Sequence, residues 1–218
     1  MKLPKNLRSG FMDEKVEDYL YALLPPRDEV VRDMEEYAAK HKTPIIGPAV
    51  ARMLALLVQI SGAKRIFELG SAIGYSTIWL ARAAGPQAEV TYTDGDPENA
   101  KRAKAYFERA GLAHQIRVET GDALTLLKKT SGEFDLVFND INKREYPDAA
   151  KVALPRVRRG GLFITDNTLW SGKAARKAKA GDADTRGVQE LNRMVFESKD
   201  LFSVMIPLRD GVTVCRKL

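Results

Sequence analysis

The feature that most constrains the fold is an alternation of short apolar runs with helix-like segments that begins near residue 63. The apolar runs have the length of strands and cover residues 65–69, 89–93, 115–118, 134–138 and 162–165. The segments between them have apolar residues at helical spacing and cover residues 75–84, 97–110, 123–129 and 146–154. Such alternation is typical of βαβ units with right-handed crossovers. It predicts an α/β fold built on a mostly parallel sheet.

Both ends of the chain depart from this alternation. Helical spacing predicts three N-terminal helices, over residues 13–24, 28–40 and 48–60. Near the C-terminus, a helix over residues 185–198 precedes two strands, over residues 201–206 and 212–215. The pair Asp210–Gly211 between these strands is a hairpin signal. We therefore expect a C-terminal antiparallel hairpin on the parallel sheet, with helices on both faces.

The length and the rare residue types narrow the class of protein. A chain of 218 residues fits a single domain, in which we expect residues 1–62 to form N-terminal helices and residues 63–218 the core. The lone cysteine, Cys215, excludes an internal disulfide framework, and two isolated histidines, His41 and His114, argue against a soft-metal centre. No apolar stretch suits a signal or a membrane span. We expect a soluble, cytoplasmic protein with no membrane partner.

The net charge of +6 is concentrated in three basic clusters. They cover residues 2–8, residues 156–159 before an expected Gly160–Gly161 turn, and residues 173–179. We interpret them mainly as solvated surface, with contact to a nucleic acid or an acidic substrate as the alternative.

Acidic residues follow the ends of the apolar runs. In an open α/β sheet, ligands bind beyond the carboxyl ends of the strands. The acidic residues at these positions are Glu68, Asp94, Asp122, Asp140 and Asp166. Because the ends of parallel strands meet at one edge, we expect these carboxylates to lie along a common ligand site.

The turn after the first run predicts a nucleoside site. Gly70 and Gly74 allow a ligand to approach the backbone at a helix start, although a tight strand–helix connection would need the same glycines. Their spacing differs from that of dinucleotide sites and P-loops. Asp94 could accept ribose hydroxyls, whereas Asp96 is placed to cap the next helix. A ligand with a ribose and no phosphate fits, which favours S-adenosylmethionine (SAM), whose sulfonium cation suits Glu68.

A second group of residues predicts a metal site. Asp140, Asp166 and Asn167 supply the oxygen ligands that Mg²⁺ prefers, with Mn²⁺ and Ca²⁺ as alternatives. The alternative reading is that both aspartates cap loops.

Lys143 is a candidate base for this site. It follows Asp140 by three residues, so its amine could reach a substrate at the metal. A lysine with a pKa of about 10.4 is a poor base until burial or a nearby cation lowers that pKa. A surface lysine that pairs with Glu145 or Asp148 is the alternative.

Three motifs together resemble a known family. They are residues 67–76 (FELGSAIGYS), residues 138–143 (FNDINK) and residues 166–172 (DNTLWSG). They look like those of the cation-dependent O-methyltransferases typified by catechol and caffeoyl-CoA O-methyltransferases, and the resemblance covers nearly the whole chain. It implies a seven-stranded Rossmann-like methyltransferase fold and a homodimer.

The resemblance also implies roles for individual residues. Asp140, Asp166 and Asn167 match the metal ligands, and Lys143 matches the catalytic base. The positions expected to bind SAM are Ile46, Glu68, Gly70, Ser71, Gly74, Tyr75, Ser76, Asp94, Gly121, Asp122, Ala123 and Asp140. Two positions depart from the family pattern: Asp94 stands where many relatives have Glu, and Asn142 replaces a common aspartate.

These observations predict a SAM-dependent, cation-dependent O-methyltransferase that acts on a small catechol-like or hydroxycinnamoyl acceptor. One alternative acceptor is a hydroxylated uridine in tRNA, which the basic clusters favour. A non-catalytic module that binds SAM or nucleic acid is an alternative of another class. Residues 171–181 are a candidate lid over the acceptor, and Trp170 is either a substrate wall or a loop anchor.

Overall fold

The computed structural model describes residues 8–9 and 12–218, and the elements below belong to that part of the chain. The strands are β1 Arg65–Leu69, β2 Glu89–Asp94, β3 Ile116–Thr120, β4 Phe134–Asn139, β5 Val157–Thr165, β6 Leu201–Ile206 and β7 Val212–Lys217. The helices are α1 Glu14–Ala22, α2 Glu29–His41, α3 Gly47–Ser61, α4 Tyr75–Ala84, α5 Pro97–Arg109, α6 Ala123–Lys129, α7 Tyr146–Ala153 and α8 Ala183–Glu197.

The strands form one sheet in the order β3-β2-β1-β4-β5-β7-β6. Strands β1 to β5 run parallel, and β7 pairs antiparallel with both β5 and β6. The predicted parallel sheet with a C-terminal hairpin is therefore confirmed. The strand order reverses between the neighbours β1 and β4, which is where open α/β sheets form a ligand crevice.

The core lies on both faces of the sheet because side chains alternate along each strand. Ile66 and Phe138 pack on the face covered by α2, α3, α4 and α5. Phe67 and Val137 pack on the opposite face, against α6, α7 and α8. Helices on both faces hold the strand ends in place, which positions the residues that follow each strand.

Local signals set the ends of most helices. Asp13 and Asp28 cap α1 and α2 with their carboxylates, and Pro25–Pro26 lies between these helices, where proline cannot continue a helix. Asp96 caps α5 by accepting from the Glu98 amide, which confirms the sequence prediction. Gly62 ends α3 with φ of 65°, a left-handed conformation that favours glycine.

The prediction of a turn at Gly160–Gly161 is wrong. Both glycines lie within β5, where the pairing with β4 shifts register between Phe134 and Leu136. Gly160 has φ of 76°, and a Cβ at Gly161 would lie 2.8 Å from the Asp135 carbonyl oxygen. A bulge within a strand demands the same glycine geometry as a turn, so local sequence cannot separate the two.

The lone cysteine and the two histidines differ in burial. Cys215 is buried, and His41 and His114 are exposed. Among the described residues, no helix is both long enough and apolar enough to cross a bilayer.

Candidate active site

A cavity of about 760 Å³ opens at the carboxyl ends of the parallel strands. The predicted site residues that line it are Ile46, Gly70, Ser71, Tyr75, Ser76, Asp94, Gly121, Asp122, Ala123, Asp140, Lys143 and Asn167. Glu68, Gly74 and Asp166 are buried behind its wall. The residues predicted to bind a nucleoside and those predicted to bind a metal therefore lie around the same cavity.

The glycine loop between β1 and α4 is held by the end of β2. The Ser71 amide donates to the Thr93 carbonyl at 2.9 Å, and the Ala72 amide donates to Asp94 Oδ2 at 2.9 Å. Gly70 has φ of 80° and faces the cavity. Gly74 packs closely on α5, because a Cβ there would lie 2.5 Å from the Phe107 ring.

Glu68 lies beneath this loop and is fully buried. The Thr77 hydroxyl donates to its Oε2, whereas its Oε1 has no hydrogen-bond partner within the described part of the chain. Burial raises the pKa of Glu68 to about 7, and the hydroxyls of Ser76 and Thr77 lower it only in part. The site therefore contains a buried carboxyl group whose ionised form would be stabilised by a nearby cationic group.

Asp94 and Asp122 are positioned by backbone donors. Asp94 Oδ1 accepts from the Asp96 amide at 2.8 Å, which orients its carboxylate beside the glycine loop. Asp122 caps α6 by accepting from the Thr125 amide at 2.8 Å, and its hydrogen bonds with Thr125 lower its pKa. Both residues line the cavity, so they can contribute acceptors to a nucleoside there.

Lys143 and Asp140 form an ion pair just beyond β4. Lys143 Nζ donates to Asp140 Oδ1 at 2.8 Å, and only 14% of the lysine side chain is exposed. Its Nζ lies 5.4 Å from the ring centroid of Tyr146 and 5.7 Å from that of Trp170. The amine is thus placed between aromatic walls at the cavity, rather than on the open surface.

Helix α8 supports the backbone that carries Lys143. Gly187 lies against this backbone, and a Cβ at position 187 would overlap the Lys143 carbonyl oxygen. The glycine therefore lets α8 pack closely on Lys143, a contact that the sequence analysis missed because it joins distant segments.

Asp166 is the most unusual carboxylate of the site. It is fully buried, and within residues 8–9 and 12–218 neither of its oxygens has a hydrogen-bond partner. Arg209 Nη1 lies 3.6 Å from Oδ2, at ion-pair distance. Burial raises the pKa of Asp166, and the nearby charge of Asp140 raises it further.

This arrangement fits a divalent cation. The Asp166 amide donates to the Asn139 carbonyl at 3.1 Å, which brings Asp166 beside Asp140 on the neighbouring strand. Buried carboxylate oxygens without hydrogen-bond partners are costly, and a cation would both satisfy them and favour the ionised form. No three Asp, Glu, His or Cys side chains of the described chain form a metal cluster. Asn167 directly follows Asp166 and lines the cavity, so its side-chain amide oxygen could serve as a third protein ligand.

The segment after β5 is held in a strained conformation. Asn167, Trp170 and Ser171 have φ of 57°, 51° and 51°, in the left-handed region. Asparagine tolerates this region, whereas it costs residues such as Trp170 and Ser171 about 1–2 kcal/mol. Such strain persists where surrounding contacts impose it. It turns Asn167 and Trp170 to line the cavity.

The β6–β7 hairpin supplies those contacts through Asp210. The Asp210 carbonyl accepts from the Leu169 amide at 2.9 Å, and its Oδ1 accepts from the Ser171 amide. Its Oδ2 accepts from Asn167 Nδ2 at 3.4 Å, which leaves the Asn167 oxygen as the group available to a metal. Burial raises the pKa of Asp210.

Sequence reasoning missed Arg209, Asp210 and Tyr146 as members of the site. Tyr146 donates its hydroxyl to the Asp166 carbonyl at 2.8 Å, and Arg209 and Asp210 line the cavity. The Asp210–Gly211 turn was recognised only as a hairpin signal. Its contact with the end of β5 spans 43 residues, and no local pattern indicates it.

Two of the basic clusters have partners within the chain. Arg156 donates to the carbonyls of Leu127 and Gly132 at 3.0 and 3.1 Å, and Arg158 pairs with Asp135. Arg8 pairs with Asp18, whereas residues 2–7 of the first cluster lie outside the described residues.

The fold and site define a Rossmann-like methyltransferase, and comparison with known proteins identifies its family. A family model described as O-methyltransferase matches residues 25–218. The chain is 33% identical to a catechol O-methyltransferase of Niastella koreensis, over 84% of this chain and 85% of the relative. It is 31% identical to a caffeoyl-CoA O-methyltransferase of Petroselinum crispum, over 90% and 87%.

A solved structure agrees with this assignment. An O-methyltransferase from Bacillus cereus in complex with SAH (S-adenosylhomocysteine) superposes with a TM-score of 0.84 at 28% identity, over 93% of this chain and 97% of that one. The chain belongs to the O-methyltransferase family, and it is a SAM-dependent O-methyltransferase.

Proposed function

We propose that the chain transfers the methyl group of SAM to a hydroxyl of a small catechol-like or hydroxycinnamoyl acceptor, with the help of a divalent cation, expected to be Mg²⁺. The observation that carries the proposal is the fully buried Asp166 carboxylate, whose oxygens have no hydrogen-bond partner in the described chain, next to Asp140. The names of the catechol and caffeoyl-CoA relatives support this acceptor class.

Asp140, Asp166 and Asn167 would hold the cation. When bound, the cation would lower the pKa of an acceptor hydroxyl and fix its orientation. Lys143 Nζ lies 2.8 Å from Asp140 Oδ1 and, as the neutral amine, would receive the hydroxyl proton. The oxygen then attacks the methyl carbon, and the carbon–sulfur bond electrons return to sulfur.

The remaining residues position the reactants. Asp94 would accept the ribose hydroxyls, and Glu68 would favour the sulfonium charge from beneath the glycine loop. Trp170 would form an acceptor wall and keep water from Lys143. The reaction joins an anionic oxygen to a sulfonium cation, so charge is lost on the way to the transition state. Most of the rate gain would therefore come from the alignment of the two reactants, which can contribute about 7 kcal/mol or more.

The test is SAM turnover on catechol, measured for the full chain with Mg²⁺, with EDTA and after Mg²⁺ is restored. We expect EDTA to abolish turnover and Mg²⁺ to recover it, and Asp166→Asn to weaken Mg²⁺ binding by calorimetry. The matched control is Asp148→Asn, an exposed carboxylate that pairs with Lys151. Full turnover in EDTA would exclude the cation-dependent mechanism.

Methyl transfer to a hydroxylated uridine in tRNA stays an alternative prediction. It gains no specific support from Arg156 and Arg158, because both side chains already bond within the chain. Phosphate contacts make binding fall steeply with salt. Binding of tRNA that carries the hydroxylated but unmethylated uridine, and that weakens strongly from 50 to 200 mM salt, would favour this acceptor, and the absence of binding would remove it.

We also propose that the protein forms a homodimer, that the chain is a single domain and that the protein is located in the cytoplasm. The hydrophobic side chains of Phe202, on the edge strand β6, and Phe196, on α8, are exposed by 68% and 49%. Exposed apolar side chains of this size suit an interface. Light scattering of the full chain tests the dimer.

A further inference from the structure

We infer that Arg209 forms a subsite for a carboxylate substituent of the acceptor, so that the enzyme prefers acidic acceptors over their neutral analogues. This inference rests on the proposed function, because it concerns the molecule that receives the methyl group. It assigns a role to a residue outside the predicted metal and cofactor positions.

The backbone of Arg209 is the first observation. The residue lies in the turn between β6 and β7 and has φ of 52°. This left-handed conformation is costly for a residue with a Cβ and easy for glycine. A strained residue at a cavity points to a use for its side chain.

The side chain provides the second observation. It lines the same cavity as Lys143 and Trp170, and only 13% of it is exposed. Its Nη1 lies 3.6 Å from Asp166 Oδ2, so the guanidinium stands beside the expected cation site. A guanidinium presents planar paired donors that match a carboxylate. The substituent would therefore be bound near the reacting hydroxyl.

The charge balance around Asp166 gives the third observation. Lys143 and Arg209 act electrostatically on both Asp166 and Asp210, and Asp140 acts on Asp166. With all five groups ionised, three carboxylates face two cations. A divalent cation bound at Asp166 would reverse this balance to one positive charge. An acceptor that brings a carboxylate would offset part of the positive charge that the bound cation adds.

A purely structural ion pair between Arg209 and Asp166 is the competing explanation. In that case Arg209 would stabilise Asp166 and have no effect on which acceptor binds. The two roles differ in one measurable quantity, the ratio of affinities for an acid and its matched amide.

The experiment measures acceptor binding by calorimetry, with Mg²⁺ and SAH present and no turnover. The probes are 2,3- and 3,4-dihydroxybenzoate, each compared with its own amide. For the intact enzyme we expect at least one acid to bind about tenfold more tightly than its amide, the size of one charged hydrogen bond. Arg209→Gln should bring this ratio close to one, and Arg209→Lys should restore part of it.

The control variant is Arg144→Gln, which removes another cavity-lining cation, one that pairs with Asp184. Its acid-to-amide ratio should stay close to that of the intact enzyme. Circular dichroism and Mg²⁺ binding check that each variant is folded and loaded. A ratio near one in the intact enzyme, or an unchanged ratio in Arg209→Gln, would overturn the inference.

The same probes separate this inference from the proposed function. Methyl transfer to both members of a pair at equal efficiency would leave the proposed function standing and remove the carboxylate subsite. Tight, Arg209-dependent binding of the acid without methyl transfer to any probe would support the subsite and contradict the proposed acceptor class.

Discussion

Gly70 and Asp140 lie backbone against backbone: a Cβ at position 70 would stand 2.9 Å from the Asp140 carbonyl oxygen. The Asp140 amide also donates to the Leu69 carbonyl at 2.9 Å. The glycine loop after β1 and the candidate cation ligand after β4 are therefore in direct backbone contact. A change in the loop should reach the metal site as well as the cofactor site.

Gly70→Ala tests this contact. The new methyl group must displace the Asp140 backbone, and the φ of 80° adds strain. We expect a loss of about 1–3 kcal/mol in the free energy of unfolding, together with weaker binding of both SAH and Mg²⁺. Denaturant unfolding and calorimetry measure these quantities.

Gly62→Ala is the matched control. Gly62 has φ of 65°, but no described heavy atom outside its immediate neighbourhood lies within 4 Å of a Cβ there. This variant should lose stability through strain alone, about 1 kcal/mol, and bind SAH normally. Equal loss of SAH affinity in both variants would contradict the backbone contact as the cause.

Lys143→Met should lower kcat by about 10² to 10⁴, the range typical of a lost general base. The methionine keeps most of the packing volume between Tyr146 and Trp170 but cannot accept a proton. Binding of SAH should be nearly unchanged, because Lys143 itself is outside the positions expected to bind SAM. A kcat within twofold of the parent enzyme would remove Lys143 from the mechanism.

Asp210→Asn tests the hairpin as a support for Asn167. The amide retains only one good acceptor for the two donors, Asn167 Nδ2 and the Ser171 amide. The loss of a hydrogen bond to a charged group costs about 1.5–3 kcal/mol. We expect weaker Mg²⁺ binding and a lower kcat with little change in SAH affinity. Unchanged Mg²⁺ affinity would show that Asp210 does not orient Asn167.

Glu68→Gln should make stability less dependent on pH. Burial raises the pKa of Glu68 to about 7, above the value of an unfolded glutamate. The folded state therefore binds more protons, and this group lowers stability as pH rises from about 4.5 to 7. Glutamine removes that penalty, which is about 3 kcal/mol when complete.

Urea unfolding of both proteins at pH 5 and pH 8 measures this effect. The variant should gain stability relative to the parent at pH 8 and much less at pH 5. A stability difference that is the same at both pH values would show that Glu68 does not titrate differently in the folded and unfolded states.

The order of residues along the chain was enough to predict that Asp94, Asp140 and Asp166 lie at one edge of the sheet. Parallel strands all end at the same edge of the sheet, so a residue that follows an apolar run is placed there by topology. The same reasoning placed Lys143 near Asp140, since only a short turn separates them. Glycine geometry was less informative, because Gly160 satisfies a bulge in β5 and a turn equally well.

The sequence by itself therefore determined the α/β architecture, the hairpin and those polar residues of the cavity that directly follow parallel strands, since each follows from a repeating pattern or a local signal. Only the tertiary structure decided how these residues are held. Asp210 supports Asn167 from 43 positions away, and Gly187 lets α8 pack on Lys143. It also decided that Asp166 is buried with Arg209 as its ion-pair partner. Such contacts depend on how distant segments pack, and periodicity along the chain carries no information about them.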